Sequence, residues 1–338
     1  MGIDTEFRAI VVDRTENAEG KKTQSSALRV LDGGFLMPGD VTIAVDYSSI
    51  NYKDGLAMMG RPGVVRAWPL IAGIDLVGTV EQSADPRWSA GDQVILNGAG
   101  LSETHHGGLA ERARVSGASL VRLPEGISAV RAAAIGTAGF TAMLSVLGLE
   151  RGGITPASGP VLVTGAAGGV GSVAVALLGA RGYQVHASTG RVDELGAYLR
   201  GLGAVELVDR RTLSEPGKPL QGQRWAGAVD SVGSYTLANV LAQTNYGGVV
   251  TACGLAQGAD LPATVMPFIL RAVSLIGINS VEALRAQREE AWHRLSTDLD
   301  LDLLDSLTEV IPLEAAFDAA AGILAGTVHG RTVVDVRG

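Results

Sequence analysis

The chain has 338 residues, enough for two domains with cores of their own. Its 46% hydrophobic and 18% charged residues exclude a disordered chain, and a net charge of -8 argues against nucleic acid or an anionic membrane as a principal partner. A single cysteine, Cys253, excludes an internal disulfide and a Cys-rich zinc site, which points to the cytoplasm.

The opening stretch, MGIDTEFRAIVVDR, carries acids and lacks the basic region and apolar core of a signal peptide. No run of 18 uninterrupted apolar residues occurs, so no membrane span is expected. Strand-like pieces follow at residues 8–12, 41–47, 78–82, 93–96 and 110–115, separated by turn residues such as Asp32-Gly33-Gly34 and Ala90-Gly91-Asp92. Pro124-Glu125-Gly126 then marks a change, and residues 129–149 are rich in Ala, Leu and Gly and read as helical.

Residues 161–191, VLVTGAAGGVGSVAVALLGARGYQVHASTGR, organise the chain. A short apolar strand at 161–164 runs into a glycine cluster (Gly165, Gly168, Gly169, Gly171), an apolar run at 170–178 opens a helix, and a second strand follows at 183–188. This is the strand, glycine turn and helix of a dinucleotide site, where a pyrophosphate reaches the helix N-terminus. A phosphate-binding P-loop needs Lys after the last glycine, and Gly171 is followed by Ser172. At the end of the second strand, where a NAD site carries an acid, the residues are Ser188, Thr189, Gly190 and Arg191. Hydroxyls, a glycine N–H and a guanidinium suit a 2′-phosphate, so the expected cofactor is NADPH. The alternative, that Arg191 solvates the start of the next helix, stays open.

Past Arg191 the pattern alternates: helix at 192–201, strand at 205–208, strand at 227–231, helix at 237–244, strand at 248–253, short helix at 266–272 and strand at 273–278. Six strands interleaved with helices make the fold class α/β, a Rossmann doubly wound parallel sheet. A long helix is expected over 281–299 with Leu284, Ala291, Leu295 and Leu299 on one side, then a helix at 313–324 and a closing strand at 332–336. The expected organisation is a mostly β catalytic domain over 1–131, a Rossmann NADPH-binding domain over 132–280, and a return to the catalytic domain over 281–338. Neither outer piece looks complete alone, so the two form one discontinuous domain, with substrate expected in the cleft between the domains.

This order resembles the medium-chain dehydrogenase/reductase superfamily. NYKD at 51–54, GID at 73–75 and GTAGFTA at 136–142 are similar to its zinc-independent quinone oxidoreductase branch. ACGL at 252–255, MPFILR at 266–271 and GRT at 330–332 resemble, more narrowly, the NADPH-dependent acryloyl-CoA reductases. The resemblance implies a GroES-like catalytic domain and hydride transfer from NADPH to an activated C=C bond. By matching positions, it implies cofactor contacts from Tyr52, Ala167, Gly168, Gly169, Val170 and Thr189, and further ones from Gly190, Arg191, Leu255, Ile269, Ser280 and Arg331. A family position that often carries a basic residue is matched here to Glu206. Proteins of this branch are commonly dimers joined at the Rossmann sheet edge, which implies a homodimer, with residues 248–254 or the last strand supplying that edge.

Hydride addition to a conjugated C=C bond leaves an enolate, which needs hydrogen-bond donors and a proton for the α-carbon. Tyr52 is a candidate for the proton or only for a cofactor contact, and Asn51 is a candidate donor. Lys53 reads as a second donor or, equally, as a structural ion pair with Asp54. His105 and His106 read as a solvated loop, and no metal is expected, because the positions for zinc ligands hold Asn51 to Asp54 and Gly73 to Asp75. Cys253 reads as a buried small residue. Arg61 and Arg66 read either as contacts for coenzyme A phosphates or as an exposed basic loop. The leading expectation is an acryloyl-CoA reductase. A quinone or general enone reductase, and an NADPH-binding protein without turnover, are the alternatives.

Overall fold

The computed structural model describes residues 6–16, 20 and 22–338. The first five residues of the acidic opening stretch lie outside the described residues. The chain forms two compact units: one takes the residues up to Thr137 with Ser280–Ser296 and Leu304–Gly338, the other Ala138–Asn279 with Thr297–Leu303.

The first unit begins with β1 (Phe7–Glu16), whose IVV run is wholly buried, paired antiparallel with β2 (Lys22–Leu31). Then come β3 (Val41–Ile50), helix α1 (Tyr52–Met58), β4 (Leu70–Ile71), β5 (Asp75–Ser83), β6 (Gln93–Asn97), β7 (Arg112–Val115) and β8 (Val121–Arg122). The 7-stranded sheet is completed from the far end of the chain by β15 (Thr308–Pro312) and β16 (Arg331–Asp335), in the order β15-β16-β3-β5-β6-β8 with β7 on β3. Thus the tail contributes β16, paired antiparallel with β3, and β15, paired parallel with β16, so the sheet is built from both pieces of the chain. One apolar core, containing Ile43, Val45, Leu76, Leu96, Leu109 and Val334, fills it.

Helix α2 (Ala129–Arg151) carries the chain from the first unit into the second. It bends at Gly136, whose φ of 49° is a backbone angle that only glycine adopts readily. By length and hydropathy α2 matches a membrane span, but its apolar window is 94% buried within the protein.

In the second unit, β9 (Val161–Val163), α3 (Gly169–Ala180), β10 (Val185–Thr189), α4 (Val192–Gly201), β11 (Ala204–Asp209), β12 (Trp225–Asp230), α5 (Ser234–Gln243), β13 (Thr244–Ala252), α6 (Met266–Arg271) and β14 (Ser274–Gly277) follow in turn. The six strands are all parallel, in the order β11-β10-β9-β12-β13-β14. This is the strand order of dinucleotide-binding sheets, with its reversal of direction at the carboxyl ends of β9 and β12. Helix α3 is buried from Gly171 to Leu178, which explains why its sequence is apolar on every side.

Several expectations need correction. β2, β4, β8 and β15 escape the sequence reading, as does helix α8 (Leu301–Ser306). The helix expected over 281–299 is α7 (Arg285–Asp298), and Leu284, placed on its apolar side, is 71% exposed just ahead of it. Ala291 and Leu295 on that helix are fully buried. The segment Thr297–Leu303 belongs to the second unit, held there by Asp298, which accepts from Arg181 at 2.9 Å. The last helix, α9, spans Ala316–Ala325.

Candidate functional site

In the second unit the glycine turn follows β9. Gly165 has φ 59°, and a Cβ on Gly171 would lie 2.2 Å from the Gly165 carbonyl oxygen, so the turn packs onto α3 only with glycine at both places. Gly168 is the N-cap of α3 and is exposed, Gly169 and Val170 are partly so, and Ala166 and Ala167 are buried. The first N–H groups of a helix lack intrahelical partners, so this end presents donors and positive potential to an anion.

The turn is braced from β12. Asp230, fully buried, accepts from the Thr164 hydroxyl at 2.7 Å and the Gly233 N–H at 2.8 Å, and the Ser231 hydroxyl donates to the Thr164 carbonyl at 3.1 Å. Burial raises the Asp230 pKa against the pull of Thr164 and the Gly233 and Val232 N–H groups. Cys253, expected to be buried, is only half-buried; it donates from Sγ to the Asp230 carbonyl at 3.2 Å, and desolvation pushes its thiol up to about 12, which favours the neutral thiol.

At the end of β10, Ser188 and Thr189 are buried, Gly190 is exposed, and the Arg191 N–H donates to Thr189 Oγ1 at 3.2 Å. Arg191 also reaches Glu194 at 3.4 Å, so the helix-start reading of this cation holds alongside its surface position. Sequence reasoning missed Arg210. A Cβ on Gly190 would lie 2.4 Å from Arg210 Nε, so this exposed guanidinium rests directly over Gly190. Glu206, matched to a basic position, instead lies 3.5 Å from His186 and 3.6 Å from Arg224. The signal for Arg210 was the doubled arginine after β11, whose partner Arg211 is paired with Asp209. Leu255 and Ile269 are 63% and 71% exposed on this unit.

In the first unit the candidates gather at the start of α1. Asn51 is the N-cap and forms a capping box with Asp54. Tyr52, at the first helical position, is 49% exposed. Asn51 is buried, and its Nδ2 donates inward to Asp75 Oδ2 at 2.8 Å and Asp54 Oδ2 at 3.2 Å. The amide expected to face a substrate oxygen therefore serves two carboxylates. Asp54 is not paired with Lys53: Lys53 reaches Glu103 at 2.5 Å, while Asp54 is enclosed and accepts from the Ile74 N–H at 2.9 Å. Burial, and then the neighbouring Asp75 charge, raise the Asp54 pKa to about 7 against the N–H groups of Asn51 and Ile74.

Arg331 opens β16 and is 3% exposed. Its Nε donates to the Ala134 carbonyl at 2.6 Å, and one terminal nitrogen lies 3.2 Å from Ser49 Oγ and 3.4 Å from Asn51 Oδ1. Burial lowers its pKa, and Asp75 and Asp54 hold it up. Ser280 is partly buried, and its carbonyl lies 3.4 Å from the Arg288 guanidinium.

The two histidines are not a solvated loop. His106 is 4% exposed, stacks on Phe35 with centroids 5.0 Å apart, accepts the Ile71 N–H at Nδ1 and donates from Nε2 to the Phe35 carbonyl. Burial lowers its pKa, in keeping with that neutral tautomer. His105 lies 2.8 Å from the Arg114 carbonyl. Arg61 and Arg66 are both exposed.

Residues 37–125 match the alcohol dehydrogenase GroES-like domain family, and residues 169–297 match the zinc-binding dehydrogenase family. The acrylyl-CoA reductase AcuI of Ruegeria pomeroyi is 51% identical over 331 residues, covering 98% of this chain and 99% of that one. The chain belongs to the medium-chain dehydrogenase/reductase superfamily. A crystal structure of the YhdH oxidoreductase from Salmonella enterica in complex with NADP superposes with a TM-score of 0.93 at 49% identity, covering 97% and 99% of the two chains. Bacillus subtilis YhfP, a putative quinone oxidoreductase solved with NAD bound, has a TM-score of 0.92 at 44% identity over 98% and 100%. A zinc ion does not fit this chain's site: among the described residues no group of three or more His, Cys, Asp or Glu is placed to hold a metal. A dinucleotide does fit, because the Gly165–Gly171 contact leaves the α3 N-terminus open to an anion and two arginines flank Gly190.

Proposed function

We propose that this protein reduces the C=C bond of acryloyl-CoA to give propanoyl-CoA, with NADPH as reductant. The observation that carries the reading is the end-to-end identity of 51% with an acrylyl-CoA reductase. When bound, NADPH supplies the hydride for the β-carbon of the enoyl thioester. The glycine turn, with Ala167, Gly168, Gly169 and Val170 at the α3 N-terminus, takes the pyrophosphate. Thr189, Gly190 and Arg191 take the 2′-phosphate, joined by Arg210, and no acid stands at the end of β10 to repel it.

Leu255, Ile269 and Ser280 line the remainder of the cofactor in this reading. Arg331, enclosed and bonded to Ala134, Ser49 and Asn51, acts on it through those partners. The half-exposed Tyr52 touches the cofactor, and its phenol or a water protonates the α-carbon. The exposed Arg61 and Arg66 serve the phosphates of coenzyme A. Two copies pair along β14, which has β13 on one side only among the described residues.

The relative named as a putative quinone oxidoreductase, 45% identical over 335 residues, favours a second reading as a quinone or general enone reductase on the same scaffold. NADPH oxidation measured side by side with acryloyl-CoA, crotonoyl-CoA, acryloyl-pantetheine and a simple quinone separates these. Preference for acryloyl-CoA supports the first reading, and turnover of quinone alone overturns it. Equal KM values for the CoA and pantetheine thioesters would remove Arg61 and Arg66 from the account. Tight NADPH binding without turnover of any acceptor would leave a non-catalytic binding protein.

A further inference from the structure

Asp75 opens β5, is 1% exposed, and has no part in the proposed reaction so far. Its Oδ2 accepts from Ser49 Oγ at 2.6 Å and Asn51 Nδ2 at 2.8 Å. Its Oδ1 accepts from Asn97 Nδ2 at 2.8 Å and Thr137 Oγ1 at 2.6 Å, and the Thr137 N–H lies 2.9 Å from both oxygens. These donors come from separate pieces of chain: the end of β3, the N-cap of α1, the end of β6, and the residue after the α2 bend. Asn97 is itself held, its side-chain oxygen by the Trp292 indole at 3.0 Å and its carbonyl by Arg288 at 2.7 Å. Arg288 also donates to the Val281 carbonyl at 2.9 Å, where the chain re-enters the first unit.

Every group directed at this carboxylate is a donor, so an amide in its place would turn an NH2 against at least one of them. The bend at Gly136 makes room for it: a Cβ there would lie 2.7 Å from Asp75 Oδ2 and 2.9 Å from the Arg331 guanidinium. The capping box fixes the Asn51 backbone to Asp54. The Asn51 amide also lies 3.2 Å from Asp54 Oδ2, 3.3 Å from Ser49 Oγ and 3.4 Å from the Arg331 guanidinium, but its shortest bond, and the one that ties the first turn of α1 to β5, is the 2.8 Å bond to Asp75. A shift of the first turn by a fraction of an ångström moves the Tyr52 phenol, which projects from that turn.

We propose that Asp75 is a positioning residue, acting through Asn51 to set the first turn of α1 and the place of Tyr52. The inference rests on reading Tyr52 as a cofactor contact. It is tested by a double-mutant cycle of Asp75→Asn and Tyr52→Ala, read as NADPH affinity by fluorescence titration and as kcat and KM with acryloyl-CoA. Each single variant weakens NADPH binding or lowers kcat by at least about fivefold, and the double variant is no more than about twofold worse than the poorer single one. Losses that multiply in the double variant overturn the inference, since a merely structural Asp75 would act independently of Tyr52.

Thr137→Val removes one donor, leaves the carboxylate, and gives a smaller loss that again vanishes in the Tyr52→Ala background. If Asp75→Asn does not fold, this second cycle decides by the same criterion. A silent Tyr52→Ala overturns both the role of Tyr52 and the inference. A wild type that binds NADPH but ignores acryloyl-CoA overturns the proposed reaction, while the binding cycle still decides on Asp75.

Discussion

Two arginines and one buried acid carry the sharpest expectations at the scale of single residues. Arg191 and Arg210 flank Gly190, and a charge-assisted hydrogen bond to phosphate contributes about 1.5–3 kcal/mol. Arg210→Ala is expected to raise the KM for NADPH by roughly tenfold to a hundredfold and to leave that for NADH nearly unchanged. Equal losses with both cofactors would remove Arg210 from the 2′-phosphate. The second expectation concerns Asp54, whose pKa rises from an ordinary 3.8 to about 7. A carboxyl group raised in the folded state contributes most to stability below its unfolded pKa, and loses that contribution as pH rises through the folded value. The melting temperature of Asp54→Asn lies below that of wild type at about pH 5, because an amide cannot accept from both the Asn51 and Ile74 N–H groups. The gap narrows toward about pH 8, where wild type must bury the charge. A gap that widened over that range would contradict the assignment.

Elements reveal where the sequence was readable and where it was not. α4 spans Val192–Gly201, the bounds its amphipathic pattern indicates, and the strands of the second unit begin and end within a few residues of their apolar runs. Such elements are buried on fixed faces, so periodicity reports them. β2 is different: its sequence KTQSSALRVL is exposed or half-exposed throughout, and pairing with β1 alone makes it a strand. β4 and β8 have two residues each, too short for any period. The glycine turn was legible because its chemistry is local. Gly171→Ala places a methyl group 2.2 Å from a backbone oxygen, a clash that no side-chain rotation relieves. That variant is expected to lose at least about 1–3 kcal/mol of stability by denaturant titration and to bind NADPH more weakly. Unchanged stability would mean that the turn and α3 separate freely.

For the whole molecule, β14, which has β13 on one side only among the described residues, and the exposed Val265, Met266 and Leu270 ahead of it bear on association of two copies. Light scattering is expected to give twice the chain mass for wild type and a monomer for Leu270→Glu. A monomeric wild type would remove the dimer. What the sequence by itself determined is the alternation of six strands with helices, the glycine turn and the superfamily, because each is read from apolar runs and short motifs of residues close together in the chain. Only the tertiary structure decided that Asn51 faces inward, that Lys53 pairs with Glu103 and not Asp54, that His106 is buried, and that Arg210 lies over Gly190. It likewise assembled Asp54, Asp75 and Arg331, which come from opposite ends of the chain. The reason is physical: a buried charge is placed by donors and counter-charges, and these come from whichever strands the sheet happens to bring together.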